Sequence, residues 1–185
     1  MPKQHHDAAP RLETERLILR QFRSDDLVAD NALWCEPDVY KFVAGKPSTL
    51  EDTWRGILQT IGHWHVLGYG YWAIEEKASG RFIGNIGFGD FRRAMVPDMK
   101  DTPEAGWVLM TAFHGKGIGT EALRAMLAWG DENLPYAKTA CITAPDNVVS
   151  NALAKKFGYL QVAQTTYKDE PTLLLHRDRI SLYQS

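Results

Sequence analysis

The sequence predicts an α/β fold, a mixed and mostly antiparallel sheet flanked by helices. Three observations carry that prediction. Tyr69–Glu76 and Arg81–Asp90 are strand-like runs separated by little more than Ala78-Ser79-Gly80, and runs joined so briefly are antiparallel neighbours. Further on, extended and helix-periodic segments alternate, as in a crossover unit that brings strands together in parallel. Between two of those segments, a glycine-dense turn at 114–120 opens a helix.

Taken in order, Arg16–Phe22 is short, apolar and partly β-branched, which suits a first strand. Ser24-Asp25-Asp26 offers capping oxygens ahead of Leu27, Val28, Leu33 and Trp34, so a helix starts there. Ser48 and Glu51 have the spacing of a capping box and open a second helix, with Trp54, Ile57, Leu58 and Ile61 at helical intervals. The antiparallel pair at 69–76 and 81–90 follows. The polar stretch Phe91–Thr102, with Arg92, Arg93, Asp98, Lys100 and Asp101, exceeds a usual hairpin connection. It is either a substrate-facing loop or a surface insertion. Glu104–Met110 is a strand, and Ile118–Trp129 a helix whose Ile118, Ala122, Ala125 and Trp129 share a face, with Leu123 and Met126 beside them. Lys138–Thr143 is a strand, Val148–Phe157 a helix, Tyr159–Ala163 a strand and Thr172–His176 a last strand.

The 185 residues suit one domain of ordinary size, roughly 100–200 residues. Met1–Pro10 reads as a flexible N-terminal tail and 11–185 as a single domain. The formal charge of -2 supplies no basic footprint for nucleic acid. No run approaches the ~18 apolar residues of a membrane span, and the polar start lacks a signal peptide's apolar stretch. The expectation is a cytoplasmic protein, monomeric or homodimeric, with neither nucleic-acid nor membrane partners. Cys35 and Cys141 belong to no metal or redox motif and read as small buried hydrophobes. His63-Trp64-His65 lacks a carboxylate companion, so no metal site is expected. Most of the six tryptophans read as core, with Trp34, Trp72 and Trp107 as candidates to line a pocket.

His114-Gly115-Lys116-Gly117-Ile118-Gly119-Thr120 is the most informative segment. Glycines at alternate positions let the backbone turn tightly and leave its N–H groups bare. The first N–H groups of a helix have no internal partners, and the macrodipole makes that end partly positive. A phosphate or pyrophosphate suits such a site. A Walker loop does not fit, because Lys116 precedes the last glycine rather than following it. A dinucleotide fingerprint does not fit either, because Thr120 stands where the third glycine belongs.

The turn resembles the GNAT superfamily signature Gln/Arg-x-x-Gly-x-Gly/Ala, carried as His114-Gly115-Lys116-Gly117-Ile118-Gly119, with His114 in place of the usual first residue. Glu104–Leu109 with Phe113–Leu123, Asn147-x-x-Ser150 with Lys156-Phe157-Gly158-Tyr159, and the opening Leu12–Arg20 are similar to the branch of ribosomal-protein N-terminal (alanine/serine) acetyltransferases. The resemblance runs from about Leu12 to Ile180. It implies a GNAT-type sheet with two splayed parallel strands, Gly106–Met110 and Lys138–Thr143, and acetyl-CoA between them.

On that resemblance, the cofactor-binding residues are Leu109, Met110 and Thr111 along the pantetheine and His114, Gly115, Lys116, Gly117, Ile118, Gly119 and Thr120 at the pyrophosphate. Asn147 would steady the cofactor arm, and it equally suits a plain helix cap. A strand N–H, that of Leu109, would polarise the thioester carbonyl. The implied reaction is direct attack of a primary amine, either a protein N-terminus or a small molecule, in a ternary complex. It needs a base for the ammonium and an acid for the departing thiolate. Glu104 is the candidate base and Ser150 the candidate acid, since Ala154 stands where many members carry an acidic tyrosine. The alternative is an acyl-CoA-binding or sensor domain without catalysis.

Overall fold

The computed structural model describes residues 6, 8–43 and 45–180. One eight-stranded sheet forms in the order β1-β2-β3-β4-β5-β6-β8-β7. Its strands are β1 (Leu12–Glu13), β2 (Leu17–Arg20), β3 (Tyr71–Glu76), β4 (Phe82–Gly89), β5 (Glu104–Leu109), β6 (Lys138–Thr143), β7 (Leu160–Tyr167) and β8 (Glu170–Asp178). The helices are α1 (Leu27–Trp34), α2 (Pro37–Val43), α3 (Leu50–Leu67), α4 (Ile118–Asn133) and α5 (Val148–Lys156). Every neighbouring pair is antiparallel except β5 and β6. The predicted α/β class and mixed sheet are therefore what the chain adopts.

Two cores flank the sheet. On one face, Trp64, Trp72 and Trp129 meet edge to face, with centroids 4.7–5.3 Å apart, and Ile118, Ala122, Leu123 and Met126 of α4 close over them. The geometry suits the ring quadrupoles, whose positive edges meet negative faces. On the other face, α1, α2 and α3 bury Leu33, Val39 and Ile57 against Phe22, Ala73 and Phe82. Trp72 is fully buried in the first core.

Several local predictions shift. The α3 cap is Thr49, whose Oγ1 accepts from Asp52 N at 3.1 Å, so the Ser48/Glu51 frame moves one residue onward. The buried face of α3 consequently carries Thr53, Ile57 and Trp64, while Trp54 and Leu58 are exposed. Cys141 is buried as expected, but Cys35 is exposed, its thiol donating to Ser48 O. Helix α2 was not foreseen: seven residues are too few to show a period, and it is held by burying Val39. The closing strands are longer than predicted because they form one hairpin. Its turn residues Lys168 and Asp169 take φ of 53° and 66°. That geometry favours Asn-Gly, so Lys-Asp gave no turn signal. The tail expected over Met1–Pro10 lies mostly outside the described residues, as do residues 181–185 of the expected domain. Where it is described, Pro10 O accepts from Trp72 Nε1 at 2.7 Å and Ala9 packs on the core.

Asp30 of α1 is buried, with Asn85 Nδ2 donating to it at 3.3 Å. Burial pushes its carboxyl up to about 7; hydrogen bonds from Asn85 and Trp34 oppose that rise, and the charge of Asp26 adds to it. An acid whose folded pKa exceeds its unfolded value keeps its proton longer when folded, so stability falls as pH rises from ~4 to 7. Asp30→Asn should therefore gain about 1–3 kcal/mol over wild type at pH 8 and much less at pH 5. Urea denaturation at the two pH values measures the difference.

Candidate functional site

β5 and β6 pair at a single position, Glu104 with Ala140, and then separate. Ala140 N donates to Pro103 O at 2.9 Å on the β6 side, whereas Met110 N donates to Ile83 O at 2.9 Å on the β4 side. Peptide groups alternate along a strand, so Trp107 and Leu109 turn their N–H groups into the gap. Met110 does not: its N–H is spent on Ile83 and its carbonyl accepts from Phe113 N. The next gap-facing amide, Thr111 N, donates to Glu36 Oε2 at 2.7 Å. His114 Nε2 bonds Leu109 O at 2.9 Å, so the histidine closes the turn back onto the strand that feeds it.

Thr111–Phe113 makes one 3-10 turn, and the chain then passes Gly115 and Gly117 at φ of 70° and 78° before α4 begins. Those left-handed values are why glycine sits there. Gly119 is helical, and a Cβ there would make ordinary contacts at 3.4–3.5 Å with Leu153 and Leu109. The first intrahelical donor is Glu121 N, to Gly117 O at 3.0 Å. Ile118, Gly119 and Thr120 thus offer three N–H groups with no partner among the described residues. Lys116 Nζ lies over the Phe113 ring at 5.6 Å.

Arg16 and Thr14 lash the start of the chain to this turn. Arg16 Nη1 donates to Lys116 O at 2.9 Å, its Nε to Glu121 Oε2 at 2.6 Å, and Thr14 Oγ1 to Glu121 Oε1 at 2.5 Å. Burial raises the Glu121 carboxyl, but those donors outweigh it and hold the group below the usual range. Beside α4 runs an open groove of about 560 Å³ bordered by Arg16, Gly117, Thr120, Arg124 and Lys156. Glu15 and Glu121 also line it, the latter paired with Arg16, so the cations exceed the carboxylates by one, and with the bare amides of the turn it offers a place for a polyanion.

At the head of β5, Glu104 is 6% exposed and grips Arg93 with both oxygens, at 2.5 Å to Nε and 2.8 Å to Nη2. Arg93 also donates to the Tyr167 hydroxyl at 3.1 Å and lies between the Phe91 and Tyr167 rings, 4.8 and 5.0 Å from their centroids. The 91–102 loop therefore turns inward at Arg93 rather than only covering surface. At the far side of the gap, Asn147 caps α5, its Oδ1 accepting from Ser150 N at 3.1 Å. Ser150 is half-buried, and Ala154 is buried under the core. Lys156 Nζ reaches Thr120 Oγ1 at 3.5 Å, which sets α5 against the opening of α4.

The turn, the strand end, Glu104 and the α5 start therefore gather around one gap. Sequence reasoning missed Glu36, Tyr71 and Tyr167 and saw Arg93 only as part of a polar loop. None of the four sits in a local motif. Among the described residues, no group of three His, Cys, Asp or Glu side chains converges to hold a metal ion.

Comparison with known proteins places the chain in a family. A family model described as an acetyltransferase (GNAT) domain matches residues 16–160. An uncharacterized N-acetyltransferase of Bacillus subtilis (strain 168), YoaA, is 26% identical over 151 residues, covering 81% of this chain and 82% of its own. A putative GnaT-family acetyltransferase from Bordetella pertussis superposes with TM-score 0.81 at 25% identity, over 91% of this chain and 99% of that one. RimL, a ribosomal L7/L12 α-N-protein acetyltransferase solved in complex with coenzyme A, superposes with TM-score 0.74 over 91% and 98%. At 16% identity that last likeness is one of fold.

Removing Arg93 would strand the Glu104 carboxylate in a buried place. Arg93→Leu is expected to cost about 3 kcal/mol or more, since breaking one side of a buried pair leaves an uncompensated charge. The double variant Arg93→Leu/Glu104→Leu should recover much of that loss. Urea denaturation of the three proteins tests the pairing.

Proposed function

We propose that this chain, which belongs to the GNAT acetyltransferase family, is an N-acetyltransferase that moves an acetyl group from acetyl-CoA to a primary amine in a ternary complex. The observation that carries the reading is the set of bare N–H groups at Ile118, Gly119 and Thr120, beside a groove in which Arg124 and Lys156 are cations outside the Arg16–Glu121 pair. A diphosphate needs converging donors and positive charge, and a pantetheine arm needs an extended slot edged by unpaired peptide groups. Both occur here in one line.

Acetyl-CoA would supply the activated acyl thioester. Gly115, Lys116, Gly117, Ile118, Gly119 and Thr120 would hold its diphosphate. Arg16, Arg124 and Lys156 would face its nucleotide end, and Leu109 and Thr111 its pantetheine. Glu36, now on Thr111 N, yields that amide to the incoming arm. The Leu109 N–H aims at the carbonyl oxygen and stabilises the charge that develops there. Glu104 takes the acceptor's proton. A carboxylate has about four lone-pair sites, so the Arg93 grip leaves room for a water or an amine. Ser150 gives a proton to the departing sulfur. The acceptor is a protein N-terminus or a small amine, and likeness of fold to RimL supports testing N-terminal peptides first.

One observation favours a second reading, acyl-CoA binding without transfer: both Glu104 oxygens already serve Arg93. Thiol release from acetyl-CoA over a panel of amines separates the two. Transfer predicts release that falls at least about tenfold in Glu104→Gln and in Ser150→Ala, with CoA affinity retained. Binding alone predicts no release with any amine.

Gly117→Asp places a negative charge against the diphosphate, at a left-handed position that aspartate tolerates better than most residues. Affinity for coenzyme A should fall by about 100-fold or more, while the melting temperature stays near wild type. Titration calorimetry with coenzyme A is the measurement, and unchanged affinity would rule out the turn as the phosphate site.

A further inference from the structure

Tyr71 of β3 pairs with Gly87 of β4, and Gly87 pairs with Gly106 of β5. Residues in register across a sheet point to the same face, so the three positions form one row. The two glycines leave that row empty, and the tyrosine ring lies across it. A Cβ at Gly87 would meet the ring at 2.8 Å, and one at Gly106 would overlap the phenolic oxygen, with the ring's Cζ 3.1 Å away. Gly106 is therefore the position that lets the hydroxyl reach the strand bordering the gap.

The hydroxyl ends on the same face as Glu104, two residues along β5, just past the last rung joining β5 to β6. Phe91 packs on the ring at 6.2 Å, so the 91–102 loop that delivers Arg93 to Glu104 also steadies Tyr71. Among the described residues the hydroxyl has no hydrogen-bond partner. Burial, reinforced by the Glu104 charge and opposed by Arg93, raises the phenol well above its ordinary value, so it stays a neutral hydroxyl able both to donate and to accept.

The face decides which substrate it meets. Ile118 and Ala122 of α4, with the phosphate turn, pack on the opposite side of the sheet, in the core with the three tryptophans. Tyr71 stands on the α1–α2–α3 side with Trp34, Val108 and Met110. A donor held at the α4 turn enters the gap from the first side, and a nucleophile approaches from the second.

We propose that Tyr71 is an acceptor-side catalytic residue whose hydroxyl binds the primary amine and relays its proton to Glu104. This rests on the acetyltransferase reading. The phenolic oxygen accepts a proton from the ammonium while its own proton passes, through one bridging water, to the Glu104 carboxylate. The products are a free amine, a neutral phenol and a neutral carboxylic acid, so charge and protons balance without a further reactant. Gly87 and Gly106 keep the path of the ring clear.

The experiment uses the full chain with acetyl-CoA and two probe acceptors, a peptide with a free N-terminal serine and spermidine. Tyr71→Phe keeps the ring and its packing. It should lower kcat/KM for the acceptor by about 100-fold, leave the dissociation constant for acetyl-CoA within about twofold, and move the acidic limb of the pH–rate profile towards the amine's own pKa. Gly106→Ala, which drives the hydroxyl out of the row, should lower acceptor kcat/KM in the same way; thermal melting reports whether it folds. Wild-type turnover with Tyr71→Phe matching it in kcat/KM and in pH profile overturns the Tyr71 role alone. Wild-type protein that releases no thiol from acetyl-CoA with either probe or with any amine of the panel overturns the acetyltransferase reading and the Tyr71 role with it.

Discussion

The separation of β5 from β6 after one shared rung is the constraint on which the rest of the molecule depends. A sheet that paired these strands along their length would consume the Leu109 and Thr111 amides in its own ladder. Because the strands part, gap-facing peptide edges stay available for a ligand, although buried backbone groups left unpaired are costly. The fold meets that demand locally: Glu36 takes Thr111 N, and His114 takes Leu109 O. Both are side chains at the rim, which can leave more easily than a neighbouring strand.

What holds the strands apart is packing on both sides. The tryptophan triad and α4 fix one face, and α1, α2 and α3 fix the other. β6 is tied instead to β8, antiparallel over six residue pairs from Lys138 to Thr143, so its free edge is not drawn back towards β5. The bidentate Arg93–Glu104 pair pins the point where the two strands still touch, and Arg93 brings Tyr167 of the terminal hairpin to the same place. A planar guanidinium between two rings and a carboxylate is a rigid fixture, which a lysine would not reproduce. The surroundings of Glu104 are thus assembled from β3, β5, the 91–102 loop and β7.

The family assignment rests on matched residues 16–160, and the local motifs agree with it. The face of the sheet that carries Glu104 draws on different parts of the molecule: Trp34, Glu36, Tyr71, Arg93 and Tyr167 lie on five separate segments. Substrate choice in such a site is a matter of how loops and helix ends converge, not of any one motif.

The elements whose signals lie within a few residues were legible in the sequence. The glycine turn, the first turn of α4, the Asn147 cap and the hairpin of β3 and β4 depend on backbone freedom, orphan amides and short connections, all of which act over about one helical turn. The Ser48 frame slipped by one residue because Thr49 and Asp52 offered the same chemistry one step along. The rest was settled by tertiary structure. Arg93 meets Tyr167 across 74 positions, Thr111 meets Glu36 across 75, and Tyr71 reaches Gly106 only through the register of three strands. Sequence pattern encodes which face a residue takes, but not which distant residue shares that face. The sequence by itself therefore determined the glycine turn and the helix it opens. The tertiary structure decided what stands opposite it, because strand register and loop return are fixed by packing of the whole chain.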